Sequence, residues 1–143
     1  MDLPILPPDY RPSDKEPYMS ALQLAYFRQK LVQWKADLLN ESEDTLAALQ
    51  EQSLSTPEAV ERASMETDHA FELRACDRAR KLISKIDQAI ARIEADEYGY
   101  CEETGEPIGL RRLEARPIAT MTIDAQERHE RAEKLHRDER RMT

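Results

Sequence analysis

Two long stretches of the chain carry apolar residues at alternating steps of three and four, the spacing of one face of an α-helix. The first stretch contains Leu24, Phe27, Leu31, Trp34 and Leu38, and its pattern weakens through Thr45 and Ala48. The second contains Ala75, Ala79, Leu82, Ile86, Ala89 and Ile93. Each pattern predicts a long helix with one apolar side, and together they indicate two helices packed as a coiled coil.

A single helix breaker separates the two stretches. Pro57 is the only proline in residues 19–97, and this span contains no glycine. The residues on both sides of it are strong helix formers. Ser55 or Thr56 can cap a new helix that starts near Pro57. The pattern therefore predicts a long antiparallel helical hairpin over residues 19–97, with its tip near residues 54–63.

The segments outside the hairpin have a different composition. Residues 1–18 contain five of the eight prolines, which predicts an extended arm. The first helix is then expected to begin at Met19 or Ser20, with Ser20 and Gln23 as an S-x-x-Q cap. All three glycines fall between positions 99 and 109, so residues 98–122 are predicted to form a small loop-rich unit, which we call the knob.

The knob has its own apolar residues, and a last helix follows it. A small core can come from Tyr98, Tyr100, Ile108, Leu110, Leu113, Ile118 and Ile123. Residues 123–143 are predicted to form a C-terminal helix that is charged on nearly every side, with Thr122 as its N-cap. The predicted fold class is therefore mostly α.

Charge and hydropathy limit the classes of function. The formal charge of -8 argues against a primary grip on nucleic acid phosphates, so we expect no direct DNA binding. No apolar run approaches the roughly 20 residues of a membrane span, which predicts a soluble, cytoplasmic protein. We expect a monomer. The stretch from Glu41 to Glu72 has nine carboxylates and one arginine, whereas residues 73–93 are basic.

The two cysteines are not expected to form a disulfide. Cys76 and Cys101 are about 25 residues apart in one largely helical tract, which corresponds to roughly 35 Å. Bridged Cα atoms are no more than about 7 Å apart.

The knob and the second helix carry the motifs of a known family. Residues 98–117 read Y-G-Y-C-E-E-T-G-E-P-I-G-L-R-R-L-E-A-R-P, and E-L-R-A-C-D-R-A-R-K-L-I-S-K-I precedes them on the hairpin. These segments resemble the DksA/TraR family of bacterial RNA polymerase regulators. The resemblance covers most of the chain except the arm and the last turns. It implies a transcription regulator whose partner is RNA polymerase.

The resemblance also implies a zinc site, from which this chain departs. Members that bind zinc carry four cysteines, and the matching positions here are Cys101, Thr104, Thr122 and Ala125. A structural zinc takes four thiolate or imidazole ligands, so zinc is not expected and the knob is interpreted as a degenerate zinc finger. His129 and His136 lie downstream on the charged terminal helix, where histidines are usually solvated.

The family's functional motif at the hairpin tip is D-x-x-D-x-A, which matches Glu58, Glu61 and Ala63 here. In the family this tip enters the secondary channel of the polymerase and reaches elements near the active centre. Each carboxylate here stands one methylene further from the backbone than an aspartate does. The alternative is that both glutamates only complement the dipole at the start of a helix.

Family members of this type complete a site for the alarmone ppGpp together with the polymerase. The matching residues are Arg78, Leu82, Lys85 and Arg116, whereas Ser55 and Gln126 replace an asparagine and a lysine. Cations suit a multiply charged phosphate ligand. The same cations could instead pair with the acidic first helix. The resemblance therefore implies ppGpp as a co-effector in the stringent response.

Two other functions fit the same pattern. A Gre-type factor would use the tip carboxylates to hold a metal that promotes transcript cleavage by the polymerase. A coiled-coil adaptor outside transcription would have only a solvated acidic tip. An enzyme in its own right is not expected, because the sequence has no phosphate loop and no nucleophile–base spacing.

Overall fold

The computed structural model of the chain describes residues 3–54 and 59–142, with side chains described outside residues 53–61. Within these ranges it contains four helices: α1 (Ala21–Leu54), α2 (Ala59–Glu94), α3 (Leu110–Ala115) and α4 (Ile123–Met142). The predicted mostly α fold is confirmed. The short helix α3 was not predicted, because six residues are too few for a helical period to stand out. None of the helices in the described ranges is both long and apolar enough for a membrane span.

The chain forms two compact units. The first contains the residues up to Gln29 and those from Ala91 onward, and the second is Lys30–Ile90. The first unit therefore includes the arm, the knob and α4, and the second includes most of α1 and α2.

Two polar contacts show that α1 and α2 run antiparallel in the second unit. Lys35 Nζ lies 2.7 Å from Asp87 Oδ1, and Gln52 Oε1 lies 3.3 Å from His69 Nε2. The residue number on α1 rises from 35 to 52 between these contacts, while the residue number on α2 falls from 87 to 69. This is the register of a hairpin, and it confirms the predicted long helical hairpin.

The apolar seam of the second unit is densest at the end remote from residues 54–59. Leu31, Ile86 and Ala89 have no solvent exposure there. Further along, Leu49 and Cys76 are the buried positions. Burial of Leu31 and Ile86 contributes about 1.5–3 kcal/mol per side chain relative to leaving each exposed.

Two residues were predicted on the wrong face. Ala48 and Ala75 are exposed, and the neighbouring Leu49 and Cys76 occupy the seam instead. Cys76 and Ile83 are seven residues apart, so they occupy equivalent positions of the heptad repeat. Their row lies next to the predicted row of Ala75 and Leu82. The larger side chain removes more apolar surface from water than an alanine methyl, so it is the one that turns inward where the facing helix leaves room for it.

The first unit has a core of aromatic and aliphatic side chains. Phe27 and Tyr98 are buried with ring centroids 5.8 Å apart, and Ile93 and Leu113 are fully buried as well. Most predicted core residues of the knob are buried or half-buried.

Two members of the predicted knob core are exposed. Tyr100 is 39% exposed because it pairs with Pro107 in an isolated bridge and its ring lies at the surface, edge-on to Tyr18. Ile123 is 55% exposed because it is the first residue of α4, and Ala125, two residues later in the same turn, is buried instead.

Residues 3–18 of the arm have turns but no helix, and side chains of the arm contact the rest of the first unit. The Tyr10 ring packs edge-on against Tyr26 at 6.2 Å, and its hydroxyl donates to Glu16 Oε2 at 2.6 Å. The Ser20 cap predicted for α1 is present, since Ser20 Oγ accepts the Gln23 N–H at 3.3 Å. The cap explains why α1 begins directly after Ser20.

Candidate functional site

Cys101 is the centre of the degenerate metal site in the knob. Its buried sulfur accepts hydrogen bonds from the Thr104 hydroxyl and from the backbone N–H groups of Glu103, Thr104 and Thr122. Burial raises the pKa of the thiol, but these hydrogen bonds stabilise the thiolate more, and the pKa falls to about 7. The structure thus brings together Cys101, Thr104 and Thr122.

The other three positions of the set have structural uses. Thr104 Oγ1 also accepts the Glu106 N–H at 3.3 Å, which fixes the turn after Cys101. Thr122 Oγ1 accepts the Ala125 N–H at 3.2 Å, so the predicted N-cap of α4 is present. Ala125 is fully buried and contributes a methyl group. Both hydroxyls therefore cap backbone N–H groups.

This donor set does not fit a structural zinc. Such a site takes four thiolate or imidazole ligands, and these positions supply one thiol, two hydroxyls and a methyl group. The two histidines of α4 face carboxylates on their own helix, His129 beside Glu133 and His136 beside Glu139. Among the described side chains, those of residues 3–52 and 62–142, no group of three or more His, Cys, Asp or Glu residues is placed to hold a metal.

Three hydrogen bonds tie the earlier part of the knob, residues 98–112, to its last residues, 117–121. The Tyr98 hydroxyl donates to the Pro117 carbonyl at 2.7 Å in the buried core, and burial raises the pKa of this phenol. Arg112 Nε donates to the Met121 carbonyl at 2.9 Å, and the Glu102 N–H donates to Thr120 at 2.9 Å. The bonds connect these two parts of the knob without using any of the four positions of the degenerate set.

The cations assigned to ppGpp by resemblance fall in different units. Arg78, Leu82 and Lys85 lie on one face of α2 in the second unit, since their spacing is four and three. Arg78 and Lys85 are exposed, whereas Leu82 is half-buried. Arg116 follows α3 in the first unit and is exposed.

Arg78 and Lys85 have no ion-pair partner in the described part of the chain. One ion pair between the two helices is Lys35 with Asp87. The structural alternative, in which Arg78 and Lys85 are held by the acidic first helix, therefore has no support in the described contacts. Two more exposed cations, Arg74 and Lys81, continue the same face of α2, with the Arg74 guanidinium 4.9 Å from the Phe71 ring centre.

The tip residues lie at the edge of what the structure describes. Glu58 and the side chain of Glu61 are outside the described residues, as are the predicted caps Ser55 and Thr56. Ala63 is within α2 and exposed. The roles of the two glutamates therefore stay predictions.

A tyrosine that no sequence pattern marked contacts the knob. Tyr18 lies just before α1, and its hydroxyl contacts the backbone of Gly99 and Gly109. A tyrosine between a proline-rich arm and a helix start has no distinctive local pattern. The three clustered glycines were the one available signal, because they mark a loop that another group can approach closely.

Two family models match the chain in succession. The model described as "DnaK suppressor protein DksA, N-terminal domain" matches residues 23–93. The model described as "Prokaryotic dksA/traR C4-type zinc finger" matches residues 96–131. The second match includes all four positions of the degenerate set.

Proteins similar to the chain over most of its length include two bacterial transcription factors. An RNA polymerase-binding transcription factor DksA from Caulobacter vibrioides (strain NA1000 / CB15N) is 61% identical over 131 residues, 92% of each chain. The protein of the same name from Escherichia coli (strain K12) is 43% identical over 115 residues, which cover 80% of this chain and 76% of that one. The structure of transcription factor DksA2 from Pseudomonas aeruginosa has a TM-score of 0.77 at 40% identity, covering 84% of this chain and 95% of that one.

The fold and the knob define an α-helical hairpin protein with a zinc-finger-like unit. The two relatives match 92% and 80% of the chain at 61% and 43% sequence identity, and the family models match in succession. The chain therefore belongs to the DksA family.

Proposed function

We propose that this protein is a transcription regulator that binds bacterial RNA polymerase. The observation that carries the proposal is its similarity, over nearly the whole chain, to relatives named for that activity. The hairpin is consistent with it, because α1 and α2 contain 34 and 36 residues and each extends about 50 Å. A paired helix of this length can carry its tip deep into a channel.

The hairpin tip is the part that acts on the polymerase in this proposal. It enters the secondary channel, and Glu58, Glu61 and Ala63 act near the active centre. The support is the match of these residues to the family's D-x-x-D-x-A motif. The nine carboxylates between positions 41 and 72 make this end of the hairpin strongly acidic. Carboxylates at such a tip can contact basic groups or bound metal ions of the polymerase.

The alarmone ppGpp is the proposed co-effector, bound together with the polymerase. Arg78 and Lys85 are exposed cations that lack partners among the described side chains, so no internal ion pair has to be broken when a phosphate ligand binds. Leu82 lies between them on the same face and supplies an apolar contact. Arg116, in the first unit, is an exposed cation as well and is the fourth residue that matches the family.

The knob is proposed to be folded without zinc. Three of the four positions lack a ligand, and the Thr104 and Thr122 hydroxyls are hydrogen-bonded to backbone N–H groups. The protein is further proposed to be a cytoplasmic monomer that does not bind DNA directly and has no catalytic site of its own.

In vitro transcription from a ribosomal RNA promoter tests the main proposal. We expect the purified protein to lower transcription with bacterial polymerase, and ppGpp to enhance this effect. The control is the Arg78→Ala/Lys85→Ala double variant, which should bind polymerase but lose most of the ppGpp enhancement.

A parallel assay on a backtracked complex measures transcript cleavage. Stimulated cleavage without any promoter effect would favour a Gre-type factor. Failure to bind polymerase in a pull-down would favour the adaptor and contradict the proposal.

A further inference from the structure

The segment that precedes α1 is tied to the first turn of that helix. We call residues 13–19 the strap. Gln23 is fully buried although it is polar, and its amide joins the two ends of the strap. Gln23 Nε2 donates to the Ser13 carbonyl at 3.2 Å, and Oε1 accepts the Met19 N–H at 2.8 Å. A buried amide that uses both its donor and its acceptor in this way holds the backbone in one arrangement.

The strap also closes the loop of the knob. The Tyr18 hydroxyl donates to the Gly99 carbonyl at 2.7 Å and accepts the Gly109 N–H at 2.9 Å. Gly99 and Gly109 stand at the two ends of the knob loop, residues 99–109, which contains Cys101. The Gly99 carbonyl also accepts the Ile108 N–H at 2.8 Å. One side chain from outside the knob therefore bridges both ends of its loop.

The backbone at this contact is shaped for close approach. Met19 has φ of 54°, a left-handed conformation that is unfavourable for a side chain of its type. Gly99 has φ of 92°, and a Cβ there would lie 2.7 Å from Met19 Sδ. A strained residue persists where its surroundings hold it in place. Met19 is held by the Gln23 amide on one side and by the surface of Gly99 on the other.

We propose that the strap is a conformational lock on the knob, in which Tyr18 closes the loop that a metal would hold in zinc-binding relatives. Loop closure costs conformational entropy, and a cross-link between the loop ends offsets part of that cost. The two family models begin at residues 23 and 96, so neither of them includes the strap. Release of the strap would loosen the loop around Cys101.

Native-state hydrogen exchange of individual amides tests the lock in the full chain. Tyr18→Phe keeps the ring and removes the bridging hydroxyl. We expect the Gly109 amide to exchange about tenfold faster, since each lost hydrogen bond has a net value of about 0.5–1.5 kcal/mol. The Met19 amide should also exchange faster, because the strap is released as a unit. The Ile86 amide lies in the second unit, and for exchange through an opening confined to that unit its rate should change less than about twofold, because the Tyr18 contacts stay formed in such an opening.

The matched control is Tyr100→Phe. The Tyr100 ring packs edge-on against Tyr18, and its hydroxyl has no hydrogen-bond partner within the described ranges. This variant should leave exchange at Gly109 and Met19 unchanged. A second variant, Gln23→Met, opens the lock from the other side and leaves the Tyr18 hydroxyl in place. If the strap acts as a unit, the Gly109 amide should exchange faster in that variant too.

Two results would overturn the proposal. Unchanged exchange at Gly109 in Tyr18→Phe would show that the hydroxyl does not close the loop. In the second result, Tyr18→Phe speeds exchange at Gly109 but not at Met19, and Gln23→Met exchanges like the parent. The Tyr18 hydroxyl would then form an isolated hydrogen bond, and the strap would not act as a lock. Each measurement is repeated with chelator and with added zinc. A change in the parent under those conditions contradicts the metal-free knob, whereas the comparison of variants reports on the strap.

Discussion

At the scale of single residues, side-chain oxygen atoms complete backbone hydrogen bonding at the points where regular structure stops. The Tyr98 hydroxyl binds the carbonyl of Pro117, and Ser20 and Thr122 cap the helices that follow them. In the described ranges, no buried side-chain nitrogen or oxygen atom lacks a hydrogen-bond partner. Buried polar groups left unpaired are costly, so each of these contacts has a measurable effect on stability.

Removal of the Thr122 cap should destabilise the first unit. Thr122→Ala leaves the Ala125 N–H without its side-chain acceptor, and an N-cap lost in this way costs about 0.5–2 kcal/mol. Urea denaturation followed by circular dichroism measures the free energy of unfolding. Thr122→Ser keeps the acceptor and is the control. Equal stability of the parent and the alanine variant would show that water replaces the cap without cost.

Alkaline pH should destabilise the first unit through Tyr26. Burial raises the pKa of this phenol first, and the hydrogen bond and charge of Glu114 raise it further, whereas Arg11 lowers it, with a net value of about 12. The unfolded phenol titrates at about 10. Because the folded pKa is the higher one, the stabilisation is complete below pH 10 and is lost as the pH rises through 12.

The measurement for Tyr26 is the free energy of unfolding at several pH values between about 9 and 12. Tyr26→Phe keeps the ring but cannot ionise. The free energy of unfolding of this variant should therefore fall less steeply with rising pH than that of the parent. The two slopes should differ by the equivalent of up to one proton per molecule. Parallel curves would mean that the phenol ionises equally well in both states.

At the scale of elements, the seam of the hairpin shows how far periodicity predicts burial. Ile86 and Leu31 were predicted to face the partner helix and are fully buried. Ala75 was predicted to do so and is exposed, because Cys76 takes the inward position. The period identifies a broad side of a helix, and neighbouring positions on that side compete for the core.

Truncation of the seam should cost more at Ile86 than at Leu82. Ile86→Ala should lower the free energy of unfolding by about 2–5 kcal/mol, the usual range for a buried isoleucine. Leu82 is half-buried, so Leu82→Ala should cost less. Chemical denaturation of both variants measures the difference. A loss below about 0.5 kcal/mol for Ile86→Ala would contradict the assigned core.

The knob as an element should be independent of zinc. Metal analysis of the purified protein should give far less than one zinc per chain, and a chelator should leave the melting curve unchanged. The physical reason is that Cys101 is the one thiol in a set that needs four ligands. One equivalent of tightly held zinc would contradict this prediction and would require ligands other than Thr104, Thr122 and Ala125.

At the scale of the whole molecule, binding and regulation should depend on different parts of the chain. Exposed carboxylates contribute little affinity on their own, so Glu61→Ala should keep most of the affinity for polymerase. It should abolish the effect on promoter-complex lifetime, because only the tip is proposed to reach the active centre. The Glu58→Asp/Glu61→Asp variant shortens both side chains and should equal or exceed the parent. If Glu61→Ala regulates normally, the two glutamates serve only the start of the helix.

The sequence alone was sufficient for the features that depend on neighbouring residues. Helix propensity, a single breaker at Pro57, and the caps at Ser20 and Thr122 act within a few positions, so the mostly α hairpin followed from them. The absence of zinc-binding cysteines at Thr104, Thr122 and Ala125 could also be predicted from the sequence, because the presence of a thiol depends only on the residue type.

The tertiary structure decided the features that depend on what lies across from a residue. The choice of Cys76 over Ala75 depends on the shape of the facing helix. The exposure of Tyr100 and the bond from Tyr18 to Gly99 join residues far apart in the chain, and no local pattern encodes such a pairing. Interactions between neighbouring residues therefore determine which helices form. Packing between distant segments determines which side chains contact the loop of the knob.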